Sequence, residues 1–314
     1  MKTQINRYGT MNKKQSFLFK DLASNYVLYL FLLPALFFYT AFCYKPMYGA
    51  IIAFKDFNAK SGILGSPWVG FQHFSTFFKD PYFIRVLYNT LKISVTSILF
   101  GFPAPIIFAL LLNEISNSKL KRSIQTISYM PYFISLVVVC GLIKQFTLDS
   151  GIINDMLAAF GSERITMLLQ PSYFVPLYVI SDIWQGMGWG SIIYLAALSG
   201  INQDLYEAAV IDGANRWKQT LHVTLPGIMP TIIIMLILRL GNIMSVGYEK
   251  IILLYNPVIY ETADVISSYV FRKGILEANY SFSTAIGLFN SAINCGILLL
   301  SNYLSRKFTE TSLW

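Results

Sequence analysis

Polar side chains recur at helical spacing inside three apolar runs of this 314-residue chain. At about 100° per residue, Tyr178, Asp182, Gln185 and Trp189 fall within about 60° of one another. Arg239, Asn242 and Glu249 share a face of a later run, and Ser283, Gly287, Asn290 and Asn294 share a face of the last. Polar groups are costly toward lipid, so such stripes face other helices or a wet cavity. Their chemistry is recognition. Amides and carboxylates bond hydroxyl groups, and flat rings stack on the faces of cyclic solutes. The other reading is hydrogen bonding between helices, with Asp182 paired to Arg239. Catalysis has less support. No Ser/His/Asp order and no carboxylate pair can be placed as catalytic. His73 and His222 lie far apart, and Cys43, Cys140 and Cys295 occur singly, giving neither a disulfide framework nor a metal pair.

The elements that must carry these residues follow from composition. A mean hydropathy of +0.53 with 13% charged residues is not the balance of a soluble domain. Crossing ~30 Å of hydrocarbon takes ~20 apolar residues, and six runs qualify: 26–44, 84–112, 125–146, 173–199, 227–251 and 281–303. The expected fold is all-α, a polytopic bundle of six transmembrane helices. The basic start of the chain followed by an apolar run superficially fits a signal peptide. No small-x-small site follows, and Phe42 spoils a lipobox, so the run reads as an uncleaved span. Pro103 and Pro105 should kink the second span. Gly186 and Gly190 form a GxxxG spacing suited to close helix contact. The connection 45–83 is rich in glycine and aromatics and reads as a folded interfacial loop.

Charge orients the bundle. Placing both termini inside puts 12 basic residues in segments 1–25, 113–124, 200–226 and 304–314, against 7 in the longer connections 45–83, 147–172 and 252–280. Positive residues collect on the cytoplasmic side, so segment 200–226 faces the cytoplasm, and the +8 net charge does not require a nucleic-acid partner.

Segment 200–226 is polar and helical between two spans. Asn202 is a candidate N-cap, Gly213 a stop and turn, and Asn215 a second cap for a short helix carrying Trp217 and Leu221. Pro226 bars that helix from continuing unaltered. Within it stand Glu207-Ala208-Ala209, then Gly213, then Val223-Thr224-Leu225-Pro226. This resembles the cytoplasmic loop of permease subunits of type I ABC importers, read as E-A-A, three residues, G, nine residues, I-x-L-P. Val223 is the one departure. The resemblance covers roughly Tyr88 to Tyr303. Pro131-Tyr132-Phe133-Ile134-Ser135, Leu254-Tyr255-Asn256-Pro257 and Leu313-Trp314 are similar to the carbohydrate branch, nearest to permeases for complex oligosaccharides or polysaccharides.

The resemblance implies a type I ABC importer permease fold with a transmembrane core at 84–303. Segment 1–83 supplies a tail, the first span and an external loop, and 304–314 a second tail. It implies a bacterial cell membrane location, a heterodimer with a second permease, two ATP-binding-cassette ATPase subunits and an extracellular solute-binding protein that delivers a sugar. ATPase coupling would fall to Glu207, Ala208, Ala209, Gly213, Leu225 and Pro226. The substrate path would be drawn from Tyr178, Asp182, Gln185, Trp189, Asn242, Asn290 and Asn294. There is no G-x-x-x-x-G-K-[ST] phosphate loop in the chain, so no cofactor is expected on it, and ATP with Mg belongs to the ATPase. Two alternatives remain. An ion-coupled secondary transporter would favour repeated halves, and none is seen. A polytopic membrane glycosyl transferase would call for acidic clusters in external loops that are sparse in carboxylates.

Overall fold

The computed structural model describes residues 21, 24–309 and 311–314; the basic residues Lys2 to Lys20 lie outside the described residues. The described residues are helical, with a single isolated bridge between Lys55 and Trp68. Long helices are α1 (Tyr26–Phe54), α2 (Tyr82–Asn113), the pair α3 (Ser118–Phe133) and α4 (Leu136–Phe146), α5 (Pro171–Ser199), α7 (Arg216–Leu240) and α10 (Tyr280–Thr309). Shorter helices are α6 (Gln203–Ile211), α8 (Tyr248–Leu254) and α9 (Ile266–Phe271).

Four helices, α1, α2, α7 and α10, are long and apolar enough to cross a membrane, and α3 with α4 makes a fifth if the bent pair is one span. α5 has the length, 29 residues. Its polar residues, Ser181, Asp182, Gln185 and Ser191 among them, hold it below the same apolar threshold.

Several expected boundaries move. The first run continues as one helix to Phe54, beyond 44, and its last turns pack on α10. The third is not one straight span: α3 and α4 meet at 97°. Pro131 sits in a 3-10 turn, and Ser135, extended, restarts the chain by accepting from the Val138 N–H. The loop before α3 shrinks to four residues because Asn117 caps a helix that begins at Ser118. The fifth run ends at Leu240, not 251, and the chain turns through Gly241–Gly247 before α8. Just before Pro103 and Pro105, where a kink was expected, α2 widens into a π turn, Ser97–Gly101, and then continues to Asn113.

Three apolar cores hold the bundle. The first gathers Ile93, Cys140, Phe174, Tyr178, Ile251 and Leu254, fixing α8 against α2, α4 and α5. The second gathers Phe77, Val86, Met244, Tyr269, Phe282 and Ile286. Phe77 of the aromatic connection therefore packs into the bundle. The third, Ile106, Ala109, Tyr194, Leu198, Ile201 and Ile228, lies at the end that carries α6. Within the GxxxG segment the closest approach is made by neither expected glycine. A Cβ on Gly188 would meet the Ser128 carbonyl oxygen at 2.1 Å, while Gly190 faces Pro105 Cβ at 3.3 Å and Gly186 has nothing within 4 Å. α5 lies against α3 through a position only glycine can occupy.

At the opposite end, segment 256–272 is tied down by long-range bonds. Asn256 donates to the Leu168 carbonyl at 3.0 Å, and Asn89 to the carbonyls of Glu261 and Asp264 at 2.8 and 3.0 Å. Arg272 forks onto buried Asp264, and that ion pair holds the guanidinium above its ordinary range. Burial pushes the Tyr269 phenol up, and its bond to Asp80 adds to the rise.

Candidate functional site

A polar cleft opens beside α5 and the C-terminal end of α7. Its deeper part, about 300 Å³, is lined by Ser94, Tyr178, Asp182, Arg239, Glu249 and Lys250, among others. A second part, about 560 Å³, continues along Gly186, Met187, Gly190 and Tyr194. Ser97, Asp182, Arg239, Asn242 and Ser245 line both, so they form the junction. Two hydroxyls, an amide, a guanidinium and a carboxylate thus converge between apolar walls.

Each has a structural reason for its place. Ser97 lies in the π turn of α2. Asp182 projects from the middle of α5, and Arg239 from the last turn of α7, where the helix dipole favours a cation. Asn242 and Ser245 lie in the turn after α7. That turn holds because its backbone is bonded from elsewhere: the Met244 N–H donates to Asn294 Oδ1 at 2.9 Å, and Ser94 and Ser267 donate to the carbonyls of Ile243 and Val246.

The expected stripes divide. Tyr178 and Asp182 line the cleft. Gln185 donates to the Ile134 carbonyl at 3.2 Å, at the bend between α3 and α4. Trp189 stacks on Tyr132, centroids 4.9 Å apart and planes 8° apart. Arg239, Asn242 and Glu249 do not share a helix face, because α7 stops at Leu240; the turn nevertheless brings all three to the deeper cavity. Asn294 is used up on Met244 and Ser245. Asn290 lies in a separate pocket with Tyr248, Phe271, Ser283 and Gly287, and its Oδ1 is buried without a partner among the described residues.

The expected Asp182–Arg239 pair is not formed. Asp182 accepts instead from Lys250 at 2.9 Å. Lys250 also donates to the Tyr178 carbonyl at 3.0 Å and lies 4.5 Å from the centre of the Tyr178 ring. Lys250 was missed because hydropathy placed it at the edge of an apolar run. A lysine there was the available signal. Ser94, Ser97 and Ser245 gave none, since single serines are common in spans. No group of three or more His, Cys, Asp or Glu suited to a metal occurs among the described residues.

The polar segment forms at the far end of α5. Asn202 Oδ1 accepts from the Asp204 N–H at 3.1 Å and caps α6. Gly213 turns the chain at φ +74°, and Asn215 caps α7 by accepting from Lys218 N–H at 2.9 Å. The expected second short helix is the first turn of α7. It passes Pro226 by widening into a π turn, Thr220–Thr224, which absorbs the clash and the missing N–H. Tyr206 bonds Thr224 at 3.0 Å and Arg216 pairs with Glu114 at 3.0 Å, anchoring both arms. Glu207 and Ala208 are exposed, Ala209 half-buried, Leu225 half-buried and Pro226 exposed. Ala208 and Ala209 line a groove with Asp212, Lys218 and His222. Glu207 has no side-chain partner among the described residues, while Ile211 is 85% exposed beside it.

Comparison with known proteins gives consistent matches. Residues 101–310 match the family described as binding-protein-dependent transport system inner membrane component. Protein LplB of Bacillus subtilis is 43% identical over 288 residues, 91% of each chain. The polygalacturonan/rhamnogalacturonan transport system permease protein YteP of the same organism is 41% identical over 303 residues, 96% of this chain and 94% of that one. Among solved structures, a chain of a bacterial alginate ABC transporter in complex with an alginate pentasaccharide-bound periplasmic protein superposes with a TM-score of 0.87 at 45% identity, covering 94% of this chain and 99% of that one.

Proposed function

The chain belongs to the binding-protein-dependent transport system inner membrane component family, and on that premise we propose that it carries an oligosaccharide through the cleft between α5 and α7. It is a multi-pass membrane permease subunit of an ABC transporter. It is not an enzyme, and ATP hydrolysis lies on a separate subunit.

One observation carries the reading. The cleft and the exposed segment are opposite ends of the same two helices. α5 runs from Asp182 to the cap of α6, and α7 runs from Arg216 in the segment to Arg239 in the cleft, roughly 35 Å at 1.5 Å per residue. A push on α6 and the start of α7 therefore reaches the cleft through rigid elements. Glu207, Ala208, Ala209, Gly213, Leu225 and Pro226 form the ATPase-coupling element. Small alanines allow close approach, and Glu207 accepts charge-assisted bonds from a basic partner. A second permease closes the cleft, a solute-binding protein delivers the sugar, and two ATPase subunits bind ATP with Mg. The charge bias supports cytoplasmic termini and a cytoplasmic coupling element. The carbohydrate assignment is supported by the relatives' names and by the cleft's mixture of hydroxyl, amide and ring. Tyr178, Asp182 and Asn242 are the path residues the geometry favours; Gln185, Trp189 and Asn294 support them from behind.

The test is at Gly213. Valine there has a β-branch at positive φ, straining the turn by about 1–3 kcal/mol. Gly213→Val and Glu207→Ala are expected to insert and pair with the second permease, yet lose ATP-driven uptake. Full uptake and normal ATPase retention by both variants would remove the coupling assignment.

A further inference from the structure

We propose that Tyr206 is a positioning residue whose bond to Thr224 carries the movement of α6 past a weak point in α7 and into the membrane part of that helix; this rests on the coupling reading above.

The weak point is the π turn Thr220–Thr224. It divides α7 into a short start, Arg216–Gln219, and the long apolar stretch Leu225–Leu240. Pro226 explains it. Proline has no N–H to give the His222 carbonyl four residues back, and its ring crowds that carbonyl. Helices bend at such widened turns. A push on the start of α7 alone would be taken up as bending, short of the cleft. The outer support is weak as well. Arg216 holds Glu114 at 3.0 Å, but the two side chains are 74% and 44% exposed, and exposed pairs contribute little.

α6 reaches across the turn. Tyr206 Oη and Thr224 Oγ1 lie 3.0 Å apart. Thr224 Oγ1 also donates to the Gln219 carbonyl at 3.3 Å, so the phenol is the donor and the threonine hydroxyl relays the bond. Thr224 closes the π turn and is buried, and Gln219 immediately precedes it. One phenol thus ties α6 to both ends of the compliant turn. Tyr206 is placed for this: it is half-buried against the third core and immediately precedes Glu207. A second contact supports it. Ile201, between α5 and α6, lies so close to Gly227 that a Cβ there would meet Ile201 Cδ1 at 2.8 Å. That contact is apolar and can slide, whereas a hydrogen bond is directional and fixes the register of α6 on α7.

The experiment reads movement at the cleft and needs no sugar. The assembled transporter, with its binding protein, carries Met187→Cys in the cleft wall, and the exposed Cys43 and Cys295 are changed to serine. The measurement is the rate of maleimide labelling with ATP and vanadate, divided by the rate without nucleotide. In this parent Tyr206→Phe is expected to shrink the nucleotide effect by about 3- to 10-fold, the order of one hydrogen bond. Thr224→Val is expected to do the same, and the double variant no more than either alone. Thr224→Ser, which keeps the hydroxyl, is expected to behave as the parent. All four are expected to retain the ATPase on purification. An undiminished effect in Tyr206→Phe, equal losses for Thr224→Val and Thr224→Ser, additive losses in the double variant, or loss of the ATPase from Tyr206→Phe would each overturn the proposal. Should Gly213→Val abolish the nucleotide effect while Tyr206→Phe keeps it, the coupling reading stands and the Tyr206 bond alone is set aside. A parent that shows no nucleotide effect would sink both.

Discussion

Lys250 and Asp182 form an unequal pair, and the inequality sets an order among their variants. The lysine side chain is 5% exposed and the aspartate 43%. Asp182→Asn strands a nearly buried ammonium with one carbonyl, that of Tyr178, and the face of its ring. Removing one partner of a fully buried pair costs about 3–5 kcal/mol, whereas an exposed pair contributes about 0–1 kcal/mol. With one end in the wet cleft, about 1–3 kcal/mol is expected for Asp182→Asn. Lys250→Met removes the buried charge itself and leaves a carboxylate that water in the cleft can solvate, for about 1 kcal/mol or less. The double variant has no stranded charge and should be more stable than Asp182→Asn alone. The assay is thermal melting of the detergent-solubilised transporter, followed by size-exclusion of the assembled complex. Should Asp182→Asn prove no less stable than Lys250→Met, or should the double variant lose the sum of the two, the buried-lysine argument is wrong.

Two further outcomes follow from packing. Gly188→Ala drives a methyl group into the Ser128 carbonyl, a backbone contact that cannot swing aside, and should cost about 2–3 kcal/mol or unseat α3; Gly190→Ala, 3.3 Å from a proline Cβ, should cost under about 1 kcal/mol, and a melting experiment that reverses this order refutes the contact. Trp189→Ala removes the ring stacked on Tyr132 beside the α3–α4 bend; uptake should fall for all sugars in equal proportion, and a change in sugar preference would return Trp189 to the substrate path.

The existence of long helices was legible because lipid imposes a length that sequence must meet, and runs such as 84–112 meet it almost residue for residue. Breaks were less legible. Nothing in hydropathy separates Leu240 from Ile243 and Met244, and the turn between them stands only because Asn294, Ser94 and Ser267 reach it from other parts of the chain. The segment at 200–226 was readable for the opposite reason: its caps at Asn202 and Asn215 and its turn at Gly213 are local bonds between near neighbours. Its merger with the next span was not, because Pro226 reads as a stop unless a π turn precedes it.

The polar stripes read the same way in sequence but divide in the fold. A polar residue in a membrane run announces that something must satisfy it, without saying whether that is a helix or a solute. Geometry separates the two. Gln185 is answered by Ile134, Asn294 by Met244 and Ser245, and Asp182 by Lys250. All three are thereby drawn into holding the protein together, whatever else Asp182 does at the cleft wall. Asn242 spends one donor on the Leu238 carbonyl, lines the cleft, and has no other side-chain hydrogen bond among the described residues. Arg239 spends nothing within the described residues. Incomplete bonding alone does not mark the path, since Asn290 Oδ1 is also left without a partner among the described residues but in a separate pocket. Incomplete bonding together with a place on the cleft wall singles out Asn242 and Arg239 among residues that looked alike as sequence.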